Sequence, residues 1–111
     1  MPIKITVSDR LRFKVAGTIT NEAGVRQAFD FALLAKRLEA DVLRERLAPG
    51  STELLGDFMT SIVDGWAGVR DDDGADLPFS ADAFAQLLRI PGLGAMAMEA
   101  YVLEVGARAK N

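Results

Sequence analysis

The spacing of the hydrophobic residues changes once along the chain, and this change constrains the fold more than any other feature. Up to about residue 36 the apolar side chains occupy alternate positions, as they do in a half-buried strand. From Leu38 onward they recur every three or four residues, as on one face of a helix. The sequence therefore predicts an α+β fold, with a β-rich part over residues 1–36 and a helical part over residues 37–111.

The β-rich part is predicted to be an antiparallel hairpin or meander of two to three strands. Alternating runs cover residues 3–7 and 11–19, and residues 8–10 can turn between them. Residues 21–24 form a second turn signal, in which Gly24 can take a positive φ angle. The first 20 residues thus predict two strands.

Residues 25–35 fit either a third strand or an early helix start. Phe29, Phe31 and Leu33 alternate as in a strand, whereas Ala28 and Leu34 to Lys36 are good helix formers. We favour the strand, because Gly24 makes a hairpin with the preceding strand easy.

Four helices are predicted to follow. The first runs from Leu38 to Leu47 and stops at Pro49 and Gly50. Ser51 is expected to cap the second, which has the clearest amphipathic pattern of the chain. Its apolar face comprises Leu54, Leu55, Phe58, Met59, Ile62, Val63 and Trp66.

The third and fourth helices are separated by Pro91 and Gly92. Ser80 is expected to cap the third, and the fourth runs from about Leu93 to Ala107. Apolar residues surround most of the fourth helix. Such a helix is either central in the fold or paired with another chain, so the pattern is also compatible with a homo-oligomer.

Composition excludes several classes of function. The chain of 111 residues is predicted to be one domain, and it contains no Cys and no His. Disulfides, thiolate chemistry and the commonest general base and metal ligand are therefore absent. A net charge of −3 with scattered basic residues argues against binding nucleic acid. We see neither a membrane-spanning run nor a signal core, and we expect a cytoplasmic protein without a cofactor.

Acidic residues offer little for catalysis or metal binding. Asp71, Asp72, Asp73 and Asp76 surround Gly74, but their spacing lacks the ligand pattern and final Glu of an EF-hand loop. They are interpreted as a solvated turn. No spacing marks the carboxylates near apolar faces as an acid–base pair, and we expect no enzyme activity and no metal site. Those carboxylates are Asp30, Glu53, Asp57 and Asp64.

Residues 66–79 combine Trp66, the acidic turn and Leu77-Pro78-Phe79, and they suit packing and contact more than chemistry. Trp66 is either ordinary core or a binding hot spot, a role in which Trp is enriched. Met59, Met96 and Met98 either fill gaps in the core or form an adaptable contact surface.

The order of several short motifs resembles the small tail assembly chaperones of long-tailed bacteriophages and prophages. The resemblance covers nearly the whole chain, and each motif has little specificity alone. The motifs are Phe13-Lys14-Val15-Ala16-Gly17, Phe29-Asp30-Phe31, Lys36-Arg37-Leu38, Asp64-Gly65-Trp66-Ala67-Gly68-Val69, Asp73-Gly74, Leu77-Pro78-Phe79-Ser80, Ala100-Tyr101 and Lys110-Asn111.

The resemblance implies a non-enzymatic function in the cytoplasm of a bacterial host. Such chaperones bind the tape measure protein, a long hydrophobic helical ruler, and keep it soluble while the tail tube assembles around it. Many have a longer form, made by ribosomal frameshifting, that recruits the major tail tube protein. Lys110 and Asn111 allow a slippery codon run, so we expect such a form here. The alternative is a structural tail component, a connector or completion protein retained in the virion.

A partner site follows as a hypothesis from the widely apolar last helix. An apolar groove can hold an amphipathic helix of a partner. We expect the tape measure protein to contact side chains of the last helix together with the single Trp. The proposed partner-binding residues are Trp66, Met96, Met98, Tyr101, Val102 and Val105.

Overall fold

The alternating residues of the first part form a long β-hairpin. In the computed structural model, which describes residues 3 and 8–106, β1 is Arg10–Thr20 and β2 is Arg26–Lys36. The two strands pair antiparallel along their whole length. The strand favoured for residues 25–35 is confirmed, whereas the alternating run at 4–7 lies outside the described residues.

The hairpin closes at the turn predicted from the sequence. The side-chain oxygen of Asn21 accepts hydrogen bonds from the backbone N–H groups of Ala23 (2.9 Å) and Val25 (3.0 Å). Gly24 has a φ of 78°, a left-handed conformation that costs glycine little. These local bonds satisfy the turn backbone and set the register of the strands.

The third strand comes from a segment that we predicted as helix. Helix α2 spans Leu55–Ile62 only, and the chain then enters β3 (Val63–Ala67), which pairs antiparallel with β2. The sheet order is β1-β2-β3. The prediction of one helix extending to Trp66 is therefore wrong, although the predicted α+β class, with a three-stranded antiparallel sheet and four helices, is confirmed.

Local chemistry explains why the helix ends at Ile62. Val63 and Trp66 are of the β-branched and aromatic types that fit a pleated sheet. Gly65 lies over Leu34 of β2, where an added Cβ would come within 3.1 Å of Leu34 Cδ1. A glycine is a poor helix former, and here it lets the two strands approach closely. Pairing with β3 gives hydrogen-bond partners to the backbone groups at the free edge of β2. This gain outweighs the preference for helix that the spacing of the apolar residues indicates.

The other helices lie close to their predicted positions. They are α1 (Ala40–Arg46), α3 (Ala81–Leu88) and α4 (Leu93–Val105). Ser80 caps α3, since its hydroxyl accepts the backbone N–H of Ala83 at 3.0 Å. Ser51 does not cap α2, because that helix begins four residues later, after Leu54. The Ser51 hydroxyl instead accepts the backbone N–H of Glu53 at 3.3 Å.

One face of the sheet carries the core, and the other carries charge. Along β1, the buried side chains alternate with exposed Arg10, Arg12 and Lys14. Helix α4 contacts β1, α2 and α3, so its apolar circumference is used largely inside the molecule. The buried core comprises Leu11, Phe13, Val15, Phe31, Leu33, Ala35, Phe58, Met59, Ile62, Val63, Phe84, Leu93, Ala97 and Tyr101. Within the described chain, no helix has the length and apolar character needed to cross a bilayer.

Candidate apolar binding groove

The six side chains predicted to bind a partner do not form one surface. Tyr101 lies in the core and exposes 0% of its surface. Its hydroxyl donates to the Lys36 carbonyl at 2.8 Å and accepts the Leu38 N–H at 3.1 Å. Burial raises the pKa of the Tyr101 phenol. The expectation that Tyr101 lines a partner surface is therefore wrong for this structure, in which it ties α4 to the end of β2.

Trp66 is half-buried and has intramolecular partners. Its indole N–H donates to the Leu77 carbonyl at 2.7 Å. The ring packs edge-on against Phe79, with centroids 5.1 Å apart, and against Phe84, with centroids 6.5 Å apart. Of its two interpretations, the structure supports the one in which Trp66 closes the core beside α3.

Met96 and Val105 lie at other sides of α4. An added Cβ on Gly17 would overlap Met96 Cε and approach Phe29, so Met96 fills the space beneath the hairpin. The Val105 carbonyl accepts a hydrogen bond from Arg37 Nη1 at 3.0 Å, which joins the end of α4 to the chain after β2. Both residues are half-buried and act within the molecule.

Met98 and Val102 belong to the outward side of α4. They are four residues apart and therefore lie on the same helix face. Met98 is half-buried, and Val102 exposes 42% of its surface. Of the six predicted residues, these two fit a contact surface best.

A shallow groove adjoins Met98. It has a volume of about 220 Å³, and about half of its lining is apolar. Leu47, Leu55, Phe58 and Met98 supply most of the apolar part, whereas Arg46, Ser51 and Glu53 supply polar groups. Leu54, which precedes Leu55 in the chain, exposes 69% of its surface, Leu47 exposes 40% and Leu55 exposes 38%. To the apolar lining residues we add Leu54 and also Val102, one turn beyond Met98 on α4. We call this set the apolar groove: Leu47, Leu54, Leu55, Phe58, Met98 and Val102. Exposed leucines gathered in this way are typical of a contact surface.

A charged cluster lines one side of this groove, and we call it the charged rim. Arg46 Nε donates to Glu53 Oε1 at 3.1 Å, Nη2 forms an ion pair with Glu53 Oε2, and Nη2 also donates to Ser61 Oγ at 2.8 Å. The guanidinium lies 4.6 Å from the Phe58 ring centroid, a cation–π contact. The hydrogen bond from Arg46 holds the pKa of the Glu53 carboxyl below its usual range.

Sequence reasoning missed both the three leucines of the groove and the charged rim. Periodicity assigned Leu47, Leu54 and Leu55 to buried faces, because spacing alone does not show which faces find a partner inside the chain. Arg46 and Glu53 are separated by an irregular connection, and no periodic pattern marks residues that meet across one. Only the run of leucines around Pro49 and Gly50 offered a signal.

A second apolar cleft lies at the far end of the hairpin. It also has a volume of about 220 Å³ and includes Ile19, Phe29, Leu87 and Ile90. Ile19 exposes 43% of its surface. The residues that line this cleft come from the sheet and from the α3–α4 region, so it is separate from the apolar groove.

Several of the acidic residues have structural partners. Asp71 Oδ1 accepts the backbone N–H groups of Asp73 (2.9 Å) and Ala75 (3.0 Å), so the turn predicted there is confirmed. Asp30 pairs with Lys14 at 3.3 Å, and Asp64 pairs with Arg10. Among the described residues, no group of three or more acidic side chains is placed to hold a metal ion.

Comparison with protein-family models, with curated proteins and with solved structures finds no match for this chain. A functional proposal therefore rests on its residues and their geometry.

Proposed function

We propose that this protein is a tail assembly chaperone of a long-tailed phage or prophage. In the cytoplasm of the bacterial host it binds apolar helical segments of the tape measure protein and keeps them soluble until the tail tube encloses them. The apolar groove is the observation that carries the proposal. The resemblance of the motif order along the chain supports the choice of partner.

The groove has the chemistry that this task needs. An amphipathic helix presents an apolar stripe, and a row of exposed apolar side chains can cover it. Burying one Leu or Val side chain fully contributes roughly 1.5–3 kcal/mol. The partial exposure of Leu47, Leu55 and Val102 leaves only a fraction of this for each residue. Contacts of this strength suit reversible binding, which a chaperone absent from the finished particle requires.

The structure changes the surface that we assign to this function. Met98 and Val102 remain, and Leu47, Leu54 and Leu55 join them. Tyr101, Trp66, Met96 and Val105 are assigned to the interior and to joints between elements. An aspartate at position 101 would disrupt folding, so it would not test partner binding.

Point variants of exposed residues test the proposal. We expect Val102→Asp to reduce the soluble tape measure protein severalfold on co-expression, because a charge would enter the apolar contact. Val25→Asp is the matched control, since Val25 exposes 57% of its surface just before β2 and belongs to neither α2 nor α4, the helices that carry most of the assigned surface. If the tape measure protein were equally soluble with folded wild type and with folded Val102→Asp, the assignment of this surface would be contradicted.

The rival function is a structural tail component that stays in the particle. The exposed groove also suits a permanent interface, so the two functions differ in whether the protein remains bound. Mass spectrometry of purified virions separates them, because a chaperone should be missing. The longer frameshifted form and its contact with the major tail tube protein belong to the same proposal, and Lys110 and Asn111 lie outside the described residues.

A further inference from the structure

Strand β3 covers only part of the edge of β2. It pairs with residues 32–35 of β2, and the chain then turns away at Gly68, which has a φ of 85°. The Val69 carbonyl accepts the Leu77 N–H at 2.9 Å, so the chain after β3 pairs with its own return segment. Within the described chain, residues 26–30 of β2 therefore pair with β1 alone, and we call them the free edge.

The backbone groups of three residues point out of the free edge. In an antiparallel ladder, alternate residues direct their N–H and C=O groups to the same neighbouring strand. The Asn21 N–H donates to the Val25 carbonyl, so Val25 and the odd-numbered residues after it face β1. Arg26, Ala28 and Asp30 direct their backbone groups to the opposite side, where no described residue bonds to them. All three residues are exposed.

The apolar cleft at the far end of the hairpin borders this edge. Phe29 and Asp30 belong both to the free edge and to the lining of the cleft, which we call the hairpin cleft. Its lining is almost wholly apolar, and Ile19, Leu87 and Ile90 contribute to it. The volume of about 220 Å³ exceeds the roughly 150 Å³ of an engineered apolar cavity that binds benzene. The hairpin cleft therefore has room for one large apolar side chain.

A strand added to the free edge would direct alternate side chains toward the hairpin cleft. Residues directly opposite each other in an antiparallel pair have their side chains on the same face of the sheet. Since Phe29 lines the cleft, the residue opposite Phe29 would place its side chain there. Unpaired backbone groups and a pocket for alternate side chains are the two features by which proteins recognise extended peptides.

The charges along the free edge indicate a second feature of such a strand. Asp30 already pairs with Lys14 at 3.3 Å, whereas Arg26 has no ionic partner among the described residues. An acidic residue opposite Arg26 would form a favourable cross-strand pair on the outer face of the sheet. In an antiparallel segment this acidic residue follows the residue opposite Phe29 by three positions.

From this arrangement we propose that the free edge and the hairpin cleft bind an extended segment of a partner protein. The segment pairs with β2 as an antiparallel strand, in line with β3, and it places a large apolar side chain in the cleft and an acidic residue opposite Arg26. This site is separate from the apolar groove, so the proposal goes beyond the function assigned to that groove and does not depend on it.

Two synthetic peptides test the side-chain requirement. The probe is acetylated and amidated Lys-Leu-Thr-Val-Glu, in which the Leu is designed to lie opposite Phe29 and the Glu opposite Arg26. The control is Lys-Ser-Thr-Val-Glu, which lacks the large apolar side chain. Because the Leu is buried in the cleft, we expect the probe to bind about tenfold more tightly than the control in a calorimetric titration. Equal binding of the two peptides, or no binding of the probe, overturns the proposal.

Methylation of single peptide nitrogens tests the strand pairing. The Thr of the probe lies opposite Ala28, so its N–H points toward β2, whereas the N–H of the Leu points to solvent. We expect N-methylation of the Thr to weaken binding about tenfold, and N-methylation of the Leu to change it less than about twofold. If both methylated peptides bound equally well, the segment would not be an added strand, and the proposal would fail.

Amide hydrogen exchange reports the edge from the side of the protein. The Ala28 N–H is unpaired in the free protein, and we expect saturating probe to slow its exchange at least about tenfold. Unchanged exchange at Ala28 in the presence of bound probe overturns the proposal. Protection of Ala28 that increases with protein concentration in the absence of the probe would assign the edge to a second copy, and it overturns the proposal as well.

Variants of the protein separate this site from the apolar groove. We expect Ile19→Asp to weaken binding of the probe about tenfold, because a charge would enter the cleft. Leu103→Asp is the matched control, since Leu103 exposes 52% of its surface on α4 and Ile19 exposes 43%. Equal binding of the probe by the two folded variants contradicts the assignment of the cleft. If the tape measure protein stayed insoluble with wild type, the proposed function would fail, whereas every result expected for the probe would stand.

Discussion

At the scale of single residues, Tyr101 illustrates how one polar group organises an apolar core. Its ring packs edge-on against Phe13 and Phe58, with centroids 5.6 Å and 6.2 Å apart. Its hydroxyl satisfies the Lys36 carbonyl and the Leu38 N–H where the chain leaves β2. The residue therefore joins α4, the sheet and the start of the helical part at one point.

Tyr101→Phe should lower the free energy of unfolding by about 1–3 kcal/mol. The ring would stay in place, but a carbonyl and an N–H of the backbone would lose a partly buried partner, and an unsatisfied group costs about this much. Urea unfolding at neutral pH measures the change. As a control, Thr60→Ala removes a hydroxyl that donates to the Gly56 carbonyl on an exposed helix face. It should change the same free energy by less than about 0.5 kcal/mol. Equal effects of the two substitutions would contradict the assigned role of Tyr101.

At the scale of secondary-structure elements, the junction of α2 and β3 shows where sequence periodicity stops being sufficient. Met59, Ile62 and Val63 are buried, and all three also fit a continued helical stripe. What ends the helix is a free sheet edge that the preceding hairpin provides, and this edge is distant in sequence. Local pattern predicts the existence of strong elements, whereas long-range pairing decides a boundary of this kind.

The candidate site, like the boundary between α2 and β3, was only partly predictable from the sequence. Helix α4 was recognised as apolar on several sides, but spacing alone does not tell which sides the fold covers. Packing of α4 against β1, α2 and α3 buries Tyr101 and Ala97 and leaves Val102 exposed. The ion pair of Arg46 and Glu53 depends on how an irregular connection folds back, for which the sequence has no periodic signal.

Gly68→Ala should destabilise the end of β3 by about 1–2 kcal/mol. Gly68 has a φ of 85°, and an L residue pays roughly this amount in the left-handed region. Its Cβ would lie 3.5 Å from Phe31 Cα of β2, an ordinary contact, so the cost comes from the backbone conformation. Gly56→Ala is the control. Gly56 lies in α2, and an added Cβ there would have no heavy atom within 4 Å. Gly56→Ala should leave the urea midpoint of unfolding unchanged or raise it. A lower midpoint in Gly56→Ala but not in Gly68→Ala would contradict the argument.

At the scale of the whole molecule, the β-rich and helical parts share one core. Leu33 and Ala35 of the hairpin are buried in the same cluster as Phe58 and Phe84 of the helices. The helical part also supplies β3, which pairs with β2. Neither part has a complete hydrophobic interior of its own, so we predict that the chain unfolds as a single cooperative unit.

Two probes can test this cooperativity in the same sample. Trp66 is the only Trp of the chain, and its ring packs between the sheet and α3, so its fluorescence reports the shared core. Far-ultraviolet circular dichroism reports mainly the helices. We expect the two urea transitions to coincide, because removing either part exposes the apolar face of the other. Exchange at the Leu47 amide should nevertheless proceed below that transition, since α1 buries none of its residues and opens locally. If the circular dichroism transition occurred at a lower urea concentration than the loss of Trp66 fluorescence, the chain would contain two independent units. If the Leu47 amide were as protected from exchange as the amides of α4, α1 would belong to the cooperative core.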